Sequence, residues 1–338
     1  MAKPSCSPLM GWNKTFAIGT LVLVWVFWSL RFLDIGLTDG VLSRLPLVGS
    51  APSPPPADDE PQPNLRPLVL YTYAESENAR ANLNFFIKNG LHGKADFVFI
   101  FNGQTTAPAM IPDEPNIRVV RRDNKCFDIG AMGEVLSKDN LWTNYKRFIT
   151  MNASIRGPFF PVHSQSCWTD TFLNRITDKV KLVGTTLNCI PRTHLQSMLL
   201  ATDDIGMGIL LDPNLALSAS ADDFYGTAKD PVGFSSCFTT MKKAVHAEIG
   251  ITALIQSQGF DVDVVMTAPY SAASFDEFCE KSGRPDDFWY NDRYFGTNIH
   301  PYETVFMKAN RDIDPVLLER LTEWHLSANM TSWKTCGR

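Results

Sequence analysis

The segment 117–161 constrains the fold of this chain more than any other, because it has the pattern of a strand, a basic turn, a helix and a second strand. The first strand (117–120) leads into a cationic turn, and the second (145–151) ends in the polar sequence Asn-Ala-Ser. In open α/β sheets, ligands bind beyond the carboxyl ends of strands, where polar turns collect. Free N–H groups at the start of the intervening helix favour an anion. The pattern predicts a mostly parallel sheet and a phosphate-bearing ligand.

The preceding residues repeat this alternation of strand and helix. Segments 68–72 and 97–101 are short apolar runs typical of buried strands, and 77–89 has the spacing of a helix. Strands that alternate with helices indicate βαβ units and a parallel sheet. We therefore predict an α/β fold with helices flanking the sheet. No Gly-x-Gly-x-x-Gly follows any of these strands, which counts against a dinucleotide-binding domain.

The amino-terminal part of the chain is apolar and uncharged over 15–30, and Arg31 can extend its charge to a membrane interface. We interpret 15–37 as a signal-anchor transmembrane helix; a cleavable signal peptide is the alternative. Lys3 and Lys14 precede the span and favour a cytosolic amino terminus.

The residues after the predicted span are rich in proline, which is typical of an extended stem. The chain is thus expected to comprise a cytosolic tail (1–14), the signal anchor (15–37), a Pro-rich stem (38–67) and a lumenal domain (68–338).

Net charge and cysteine usage narrow the class of protein. The net charge of −5 lacks the basic footprint of a nucleic-acid binder. Of seven cysteines, Cys6 precedes the span, which leaves an even number in an oxidising compartment. We expect disulfides among them, but the sequence does not choose the pairs. A zinc site is not expected, because the sequence has no Cys-x-x-Cys spacing. Asn329, in Asn-Met-Thr, is a predicted N-glycan acceptor.

Three blocks carry a resemblance to a known family. Residues 122–131 (RDNKCFDIGA) resemble the R-x-N-x-G-x-D-x-G-A signature of GT-A-type glycosyltransferases, with Cys126 where glycine is usual. Residues 152–158 (NASIRGP) and 194–197 (HLQS) resemble the N-x-S-x-x-G-P and H-x-Q-S segments of the rhamnan-synthesis F group of polysaccharide biosynthesis proteins. The matches lie between residues 68 and 310.

The resemblance implies a GT-A-like (Rossmann-like) fold and an enzyme of the hexosyl- or deoxyhexosyltransferase class. Such an enzyme moves a sugar from a nucleotide-sugar donor to a glycan or polysaccharide acceptor. Together with the predicted anchor and stem, it implies a single-pass type II protein of the Golgi membrane, with the endoplasmic reticulum as the alternative.

The resemblance also implies a donor site. The residues expected there, in the matched blocks or in later loops, are Arg122, Asn124, Asp128, Asn152, Ser154, Gly233 and His300. Lys308 lies in the same late block as His300 and is expected to support it. For Asp128 the alternative role is the N-cap of its own helix.

The Asp-x-Asp turn usual in GT-A enzymes corresponds here to Asn152-Ala153-Ser154. Amide and hydroxyl oxygens are weaker ligands for Mn²⁺ or Mg²⁺ than carboxylates. Metal dependence is therefore left open, and the alternative is neutralisation of the diphosphate by Arg122, Lys125 and Arg156.

Glu248 is the first candidate for a general base, because it is near the start of a predicted amphipathic helix (242–258) expected to face the acceptor. Its alternative role is a first-turn charge that favours the helix dipole. Asp287 is the second catalytic candidate, and His194 and Gln196 are predicted to contact the acceptor. The alternative function is a GT-A-derived glycan-binding or scaffold protein without catalysis.

Overall fold

The computed structural model describes residues 65–337. The predicted cytosolic tail, the signal anchor and most of the stem lie outside the described residues. Within that range, no helix combines the length and apolar character needed to cross a membrane.

Strands and helices alternate through most of the described range. The strands are β1 (Leu68–Ala74), β2 (Asp96–Asn102), β3 (Ile117–Arg122), β4 (Arg147–Asn152), β5 (Ile155–Arg156), β6 (Val180–Gly184), β7 (Leu187–Asn188), β8 (His194–Leu195), β9 (Leu199–Asp203), β10 (Asp261–Val264) and β11 (Met307–Lys308). The α-helices are α1 (Glu77–Asn89), α2 (Asp128–Ser137), α3 (Trp168–Leu173), α4 (Asp204–Leu211), α5 (Met241–Ser257), α6 (Phe275–Lys281), α7 (Pro301–Thr304), α8 (Pro315–Ser327) and α9 (Ser332–Thr335).

Seven strands form the central sheet, in the order β10-β6-β9-β4-β1-β2-β3. β9 runs antiparallel to its neighbours β4 and β6, and the remaining pairs are parallel. The α/β class and the mostly parallel sheet are therefore confirmed. Because β1 lies between β2 and β4, the strand order changes direction between β1 and β4. This is the kind of position where α/β sheets bind ligands.

The inner strands are buried because their sequences are continuously apolar. Every residue of β1 before Ala74 is buried, and in β2 only Asp96 is not. Such runs suit strands that are covered on both faces. β3 is at the edge, where Arg118 and Arg121 are exposed, and charged residues protect an edge from pairing with other chains.

α5 begins where the sequence supplies a cap and an apolar stripe. The Thr240 side chain accepts a hydrogen bond from the Lys243 backbone N–H. Ala244, Ala247 and Ile251 are buried at helical spacing, so this face of the helix packs on the core.

All six cysteines of the described residues are paired, which confirms the expectation of disulfides. The pairs are Cys126–Cys237, Cys167–Cys336 and Cys189–Cys279. The first joins the turn before α2 to the segment before α5.

Candidate functional site

A cleft of about 610 Å³ opens at the carboxyl ends of β1, β2 and β4, where the strand order changes direction. The start of α2, one face of α5 and the segment after β11 complete its walls. Its main polar lining residues are Thr72, Asn102, Asn124, Lys125, Asp128, Asn152, Ser154, Glu248, Lys308 and Arg311.

Thr72 provides a buried polar atom near the carboxyl end of β1, at the switch point where the strand order changes direction. It lines the cleft and is 3% exposed, and its Oγ1 has no hydrogen-bond partner among the described residues. Buried polar side chains nearly always have partners, so an unpaired one at a cleft wall calls for an explanation. A polar group of a bound ligand would satisfy this hydroxyl.

Asp128 joins two of the matched blocks, 122–131 and 152–158, by a hydrogen bond. One carboxylate oxygen accepts a hydrogen bond from the Ile129 N–H at 3.0 Å, and the other accepts one from the Asn152 side-chain amide. Phe127 occupies the N-cap position of α2, so the predicted capping alternative for Asp128 is wrong. Burial raises the pKa of Asp128, the nearby Glu248 charge adds to the rise, and the bond from Asn152 opposes it.

The turn after β4 fixes the orientation of the Asn152 amide. Its Oδ1 accepts hydrogen bonds from the backbone N–H and the hydroxyl of Ser154, an arrangement typical of an Asx turn. The Nδ2 donor is thereby directed at Asp128. Asn152, which the resemblance aligns with the first Asp of the Asp-x-Asp turn, therefore directs a hydrogen-bond donor, not an acceptor, toward Asp128.

These residues do not fit Mn²⁺ or Mg²⁺, whose protein ligands are chiefly carboxylate oxygens. A cation at Asp128 would meet the Asn152 N–H group, and Oδ1 of that amide already serves Ser154. Within residues 65–337, one group of three possible metal ligands is close together: His92, Cys167 and Cys336. The two cysteines of this group form a disulfide with each other.

Glu248 lies inside α5 rather than at its start, so the first-turn alternative is wrong. The carboxylate lines the cleft, and its Oε2 accepts hydrogen bonds from the Ser197 N–H at 2.8 Å and the Ser197 hydroxyl. Its Oε1 makes no hydrogen bond with any described residue. One oxygen is thus held by the protein while the other remains available to a ligand.

Arg122 lies beside the cleft but does not line it. Its guanidinium pairs with Glu134 and donates to Asn102 Oδ1 at 2.7 Å. Asn102 does line the cleft, so Arg122 supports the wall through Asn102. Asn124, which was also predicted to bind the donor, lines the cleft directly.

The predicted acceptor residues and the second catalytic candidate are buried, and a hydrogen bond joins Gln196 to Asp287. His194 Nδ1 is 2.7 Å from the Arg192 carbonyl oxygen, and burial lowers the pKa of this histidine. Gln196 donates to Asp287 Oδ1 at 3.2 Å and accepts from the Thr186 hydroxyl. His194, Gln196 and Asp287 are not among the lining residues. Of the matched block 194–197, Ser197 is the residue that lines the cleft.

Gly233 and His300 also lie outside the lining. Gly233 has φ +85°, and a Cβ there would come within 2.8 Å of the Leu210 carbonyl oxygen, so glycine is needed for packing against α4. His300 caps α7 by accepting from the Tyr302 N–H at 3.0 Å, and burial lowers its pKa. Beyond α7, the chain nevertheless continues to Lys308 at the end of β11, and this lysine lines the cleft.

Sequence reasoning missed Asn310 and Arg311, which follow β11 and line the cleft. Their position depends on Ala309, whose N–H donates to the Ser154 carbonyl at 2.8 Å and whose carbonyl accepts from Asn78 Nδ2 at 2.7 Å. No local sequence pattern predicts these contacts, because they join segments far apart in the chain.

A second constellation lies away from the cleft. His246 Nε2 is 2.9 Å from the Ser220 hydroxyl, and its Nδ1 is 2.9 Å from Asp223 Oδ2. These distances resemble a nucleophile, base and orienting acid. However, the Ser220 hydroxyl also lies 2.7 Å from the Asp230 carbonyl and 3.0 Å from that of Thr227, and His246 is fully buried. The arrangement fastens the loop before α5 to that helix.

Comparison with known proteins adds little to this geometry. No protein-family model matches the chain, and no curated protein matches it. Among solved structures, it is similar to a Desulfovibrio desulfuricans G20 protein provisionally described as a nucleotide-diphospho-sugar transferase. The two are 9% identical with a TM-score of 0.33, over 65% of this chain and 96% of that one. A likeness this low carries no argument about function.

Proposed function

We propose that this protein is a glycosyltransferase that moves a sugar from a nucleotide-sugar donor to a glycan or polysaccharide acceptor. One observation carries the proposal: Asp128, Asn152 and Glu248 come from separate sequence segments and line one cleft. The cleft lies at the switch point of the sheet, where α/β folds bind nucleotides. Its volume, about 610 Å³, is in the range of small-molecule sites.

The strand ends are suited to the donor. Thr72, Asn102 and Asn152 present hydroxyl and amide groups to the cleft, and such groups can orient the sugar and ribose by hydrogen bonding. Ser76 and Ala79 at the start of α1 also line it. The amino terminus of that helix favours the negative charge of a diphosphate.

Glu248 is the residue best placed to act as the base. Ser197 holds Oε2, so Oε1 can take the proton of an acceptor hydroxyl as its oxygen attacks the sugar. Burial keeps the pKa of the neighbouring His194 below its ordinary value, which favours the neutral imidazole beside this carboxylate. The side of the cleft formed by α5 would then bind the acceptor.

A catalytically inactive glycan-binding protein is the second candidate. The observation that favours it is the Asn152-Ala153-Ser154 turn, which offers no carboxylate where GT-A enzymes have two. Such a protein would retain the fold and the cleft but would bind glycans without consuming a donor.

The test is to incubate the full-length chain with a panel of nucleotide sugars and candidate glycans, and to measure release of nucleoside diphosphate and formation of glycosylated product. We expect one donor to give product and the Glu248→Gln variant to give far less. Glycan binding without turnover of any donor would favour the inactive alternative, and binding of neither would refute both.

We also propose the type II topology and the Golgi location, which rest on sequence features outside the described residues. Protease treatment of sealed microsomes should spare residues 68–338 until detergent is added. Digestion without detergent would contradict a lumenal domain, and a glycan on Asn329 would provide independent support for it.

A further inference from the structure

A nucleotide-sugar donor leaves its diphosphate as a polyanion, which requires a source of positive charge in the cleft. Of the two carboxylates that line the cleft, Asp128 has both oxygens engaged by the protein and Glu248 has one, Oε2. Asp128 accepts from Ile129 and Asn152, and Glu248 accepts from Ser197. With an amide donor directed at Asp128, the residues present do not favour a bridging metal.

The cations predicted from the sequence are also engaged elsewhere. Arg122 pairs with Glu134, and Arg156 donates to Asn82 Oδ1 at 2.8 Å; neither lines the cleft. Lys125 lines the cleft but is mostly exposed and pairs with Asp123 at 2.8 Å. Water and a competing carboxylate weaken what this ammonium can contribute.

Lys308 and Arg311 are engaged much less by other residues of the protein. Lys308 is half-buried in the cleft wall and makes no ion pair with any residue from 65 to 337. The Arg311 side chain is 29% exposed, and its Nε is buried without a hydrogen-bond partner in that same range. Lys308 has no ion-pair partner in that range, and Arg311 has one, Asp287, whose Oδ2 lies 3.6 Å from Nε. The hydrogen-bonding capacity that both cations retain at the cleft wall points to an anion that binds them.

The fold holds the Arg311 guanidinium in position without using its terminal donors. Asp287 Oδ2 lies 3.6 Å from Nε, beyond a hydrogen bond, and Cζ lies 5.3 Å from the centre of the Tyr290 ring. Ser154 and Asn78 fix the intervening backbone at Ala309. No described residue accepts a hydrogen bond from the two terminal nitrogens, which leaves a planar pair of donors suited to phosphate.

We propose that Lys308 and Arg311 bind the diphosphate of the donor and take the place of a divalent cation, so that donor binding and transfer are independent of metal. This inference rests on the proposed function. In the transfer step, the bond between the anomeric carbon and the diphosphate oxygen breaks, and its electron pair stays on the diphosphate, which the two cations stabilise. The acceptor oxygen bonds to the anomeric carbon, and its proton goes to Glu248.

The experiment is calorimetric titration of the full-length chain with ADP, CDP, GDP, UDP and dTDP, first in EDTA and then with MnCl₂ or MgCl₂. We expect one nucleotide to bind with the same affinity in both conditions. Lys308→Ala and Arg311→Ala should each weaken its binding by about ten- to a hundredfold, as expected for loss of a charge-assisted hydrogen bond. Lys308→Arg and Arg311→Lys, which keep the charge, should recover part of the affinity.

Arg320→Ala is the matched control, because Arg320 is an exposed residue of α8 paired with Glu323; its affinity should equal that of the wild type. If an alanine variant melts early, Lys308→Met and Arg311→Gln, which nearly preserve side-chain length, replace it. Binding that requires Mn²⁺ or Mg²⁺, or that survives both neutral substitutions, would overturn the inference and leave the proposed function standing. Failure of every nucleotide to bind in either condition would overturn both.

Discussion

The two walls of the cleft differ in how far along the chain their supporting contacts reach. The strand wall consists of Asp128, Asn152 and Ser154, joined by hydrogen bonds between residues 2 and 24 positions apart. The helix wall consists of Glu248 and the segment 308–311, and its supports span 51 and 231 positions. Recognition groups thus come from compact motifs, whereas the proposed base and phosphate-binding groups depend on tertiary structure.

The largest effect is expected on the helix wall, at Glu248. Glu248→Gln retains an oxygen that can accept from Ser197 but cannot take a proton, so transfer should fall by about 10²–10⁴-fold. Donor affinity should hardly change, because the strand wall and the segment 308–311 are intact. Steady-state transfer and donor titration on the same preparation check both expectations. Full activity in this variant would remove Glu248 as the base.

The next effect concerns the covalent link between the walls. Replacing Cys126 and Cys237 together by alanine should lower the free energy of unfolding by about 2–5 kcal/mol and weaken donor binding, because this disulfide joins the start of α2 to the segment before α5. Denaturant unfolding and donor titration measure the two effects. The control removes Cys189 and Cys279, which should cost comparable stability but leave donor affinity unchanged. Equal loss of affinity in both variants would argue against a specific link.

A smaller effect is expected on the strand wall at Asn152. Asn152→Asp removes the donor to Asp128 and places two carboxylates together, so stability at neutral pH should fall by about 1–3 kcal/mol. The loss should shrink in acid, where the pair can hold a proton. Urea unfolding at neutral and acidic pH measures this. A variant that binds Mn²⁺ with no loss of stability would show that the turn tolerates a metal site.

The smallest effect has the opposite sign. Asp128→Asn should raise the free energy of unfolding at neutral pH by about 0.5–2 kcal/mol while weakening donor binding. Because burial raises the pKa of Asp128 in the folded state, the charged carboxylate costs stability. That cost is absent below the ordinary Asp pKa and grows as pH rises toward the folded value, so the gain should vanish in acid.

Urea unfolding of the Asp128 variant across this pH range provides the check. Asp123→Asn is the control, since its pairing with Lys125 lowers the pKa of Asp123 and the substitution should be slightly unfavourable. A destabilised Asp128→Asn variant at neutral pH would contradict the assignment.

The contrast between the walls also explains what the sequence could predict. The strands at 68–72 and 97–101 were predictable because continuous apolar runs suit buried parallel strands, and the strand at 117–120 was predictable from the alternation of strands and helices. The polar turn at Asn152 was predictable because it follows such a strand directly. For Asp128, the sequence indicated the location but not the partner, since its contact with Asn152 depends on how the start of α2 approaches the end of β4.

The remaining site residues depend on partners that no local pattern specifies. Arg122 has the sequence context of a phosphate ligand, but Glu134 lies within reach on the next helix and pairs with it. Asp287 was a plausible general base from its sequence, yet Gln196 and the approach of Arg311 place it behind the wall. Arg311 itself escaped notice because only the pairing of β11 with β5 brings it to the cleft.

The disulfides divide the described chain into a part enclosed by covalent rings and a part outside them. The rings closed by Cys126–Cys237 and Cys167–Cys336 overlap, so a single backbone cut between residues 126 and 336 leaves both fragments linked until a thiol reductant is added. β1, β2 and β3 precede the first ring, so apart from the backbone itself they are held to it by packing and hydrogen bonds. A protease nick after Cys126 in a cleft loop would therefore go undetected on a non-reducing gel, whereas a cut in the loop before β3 would release a fragment as soon as the domain unfolded.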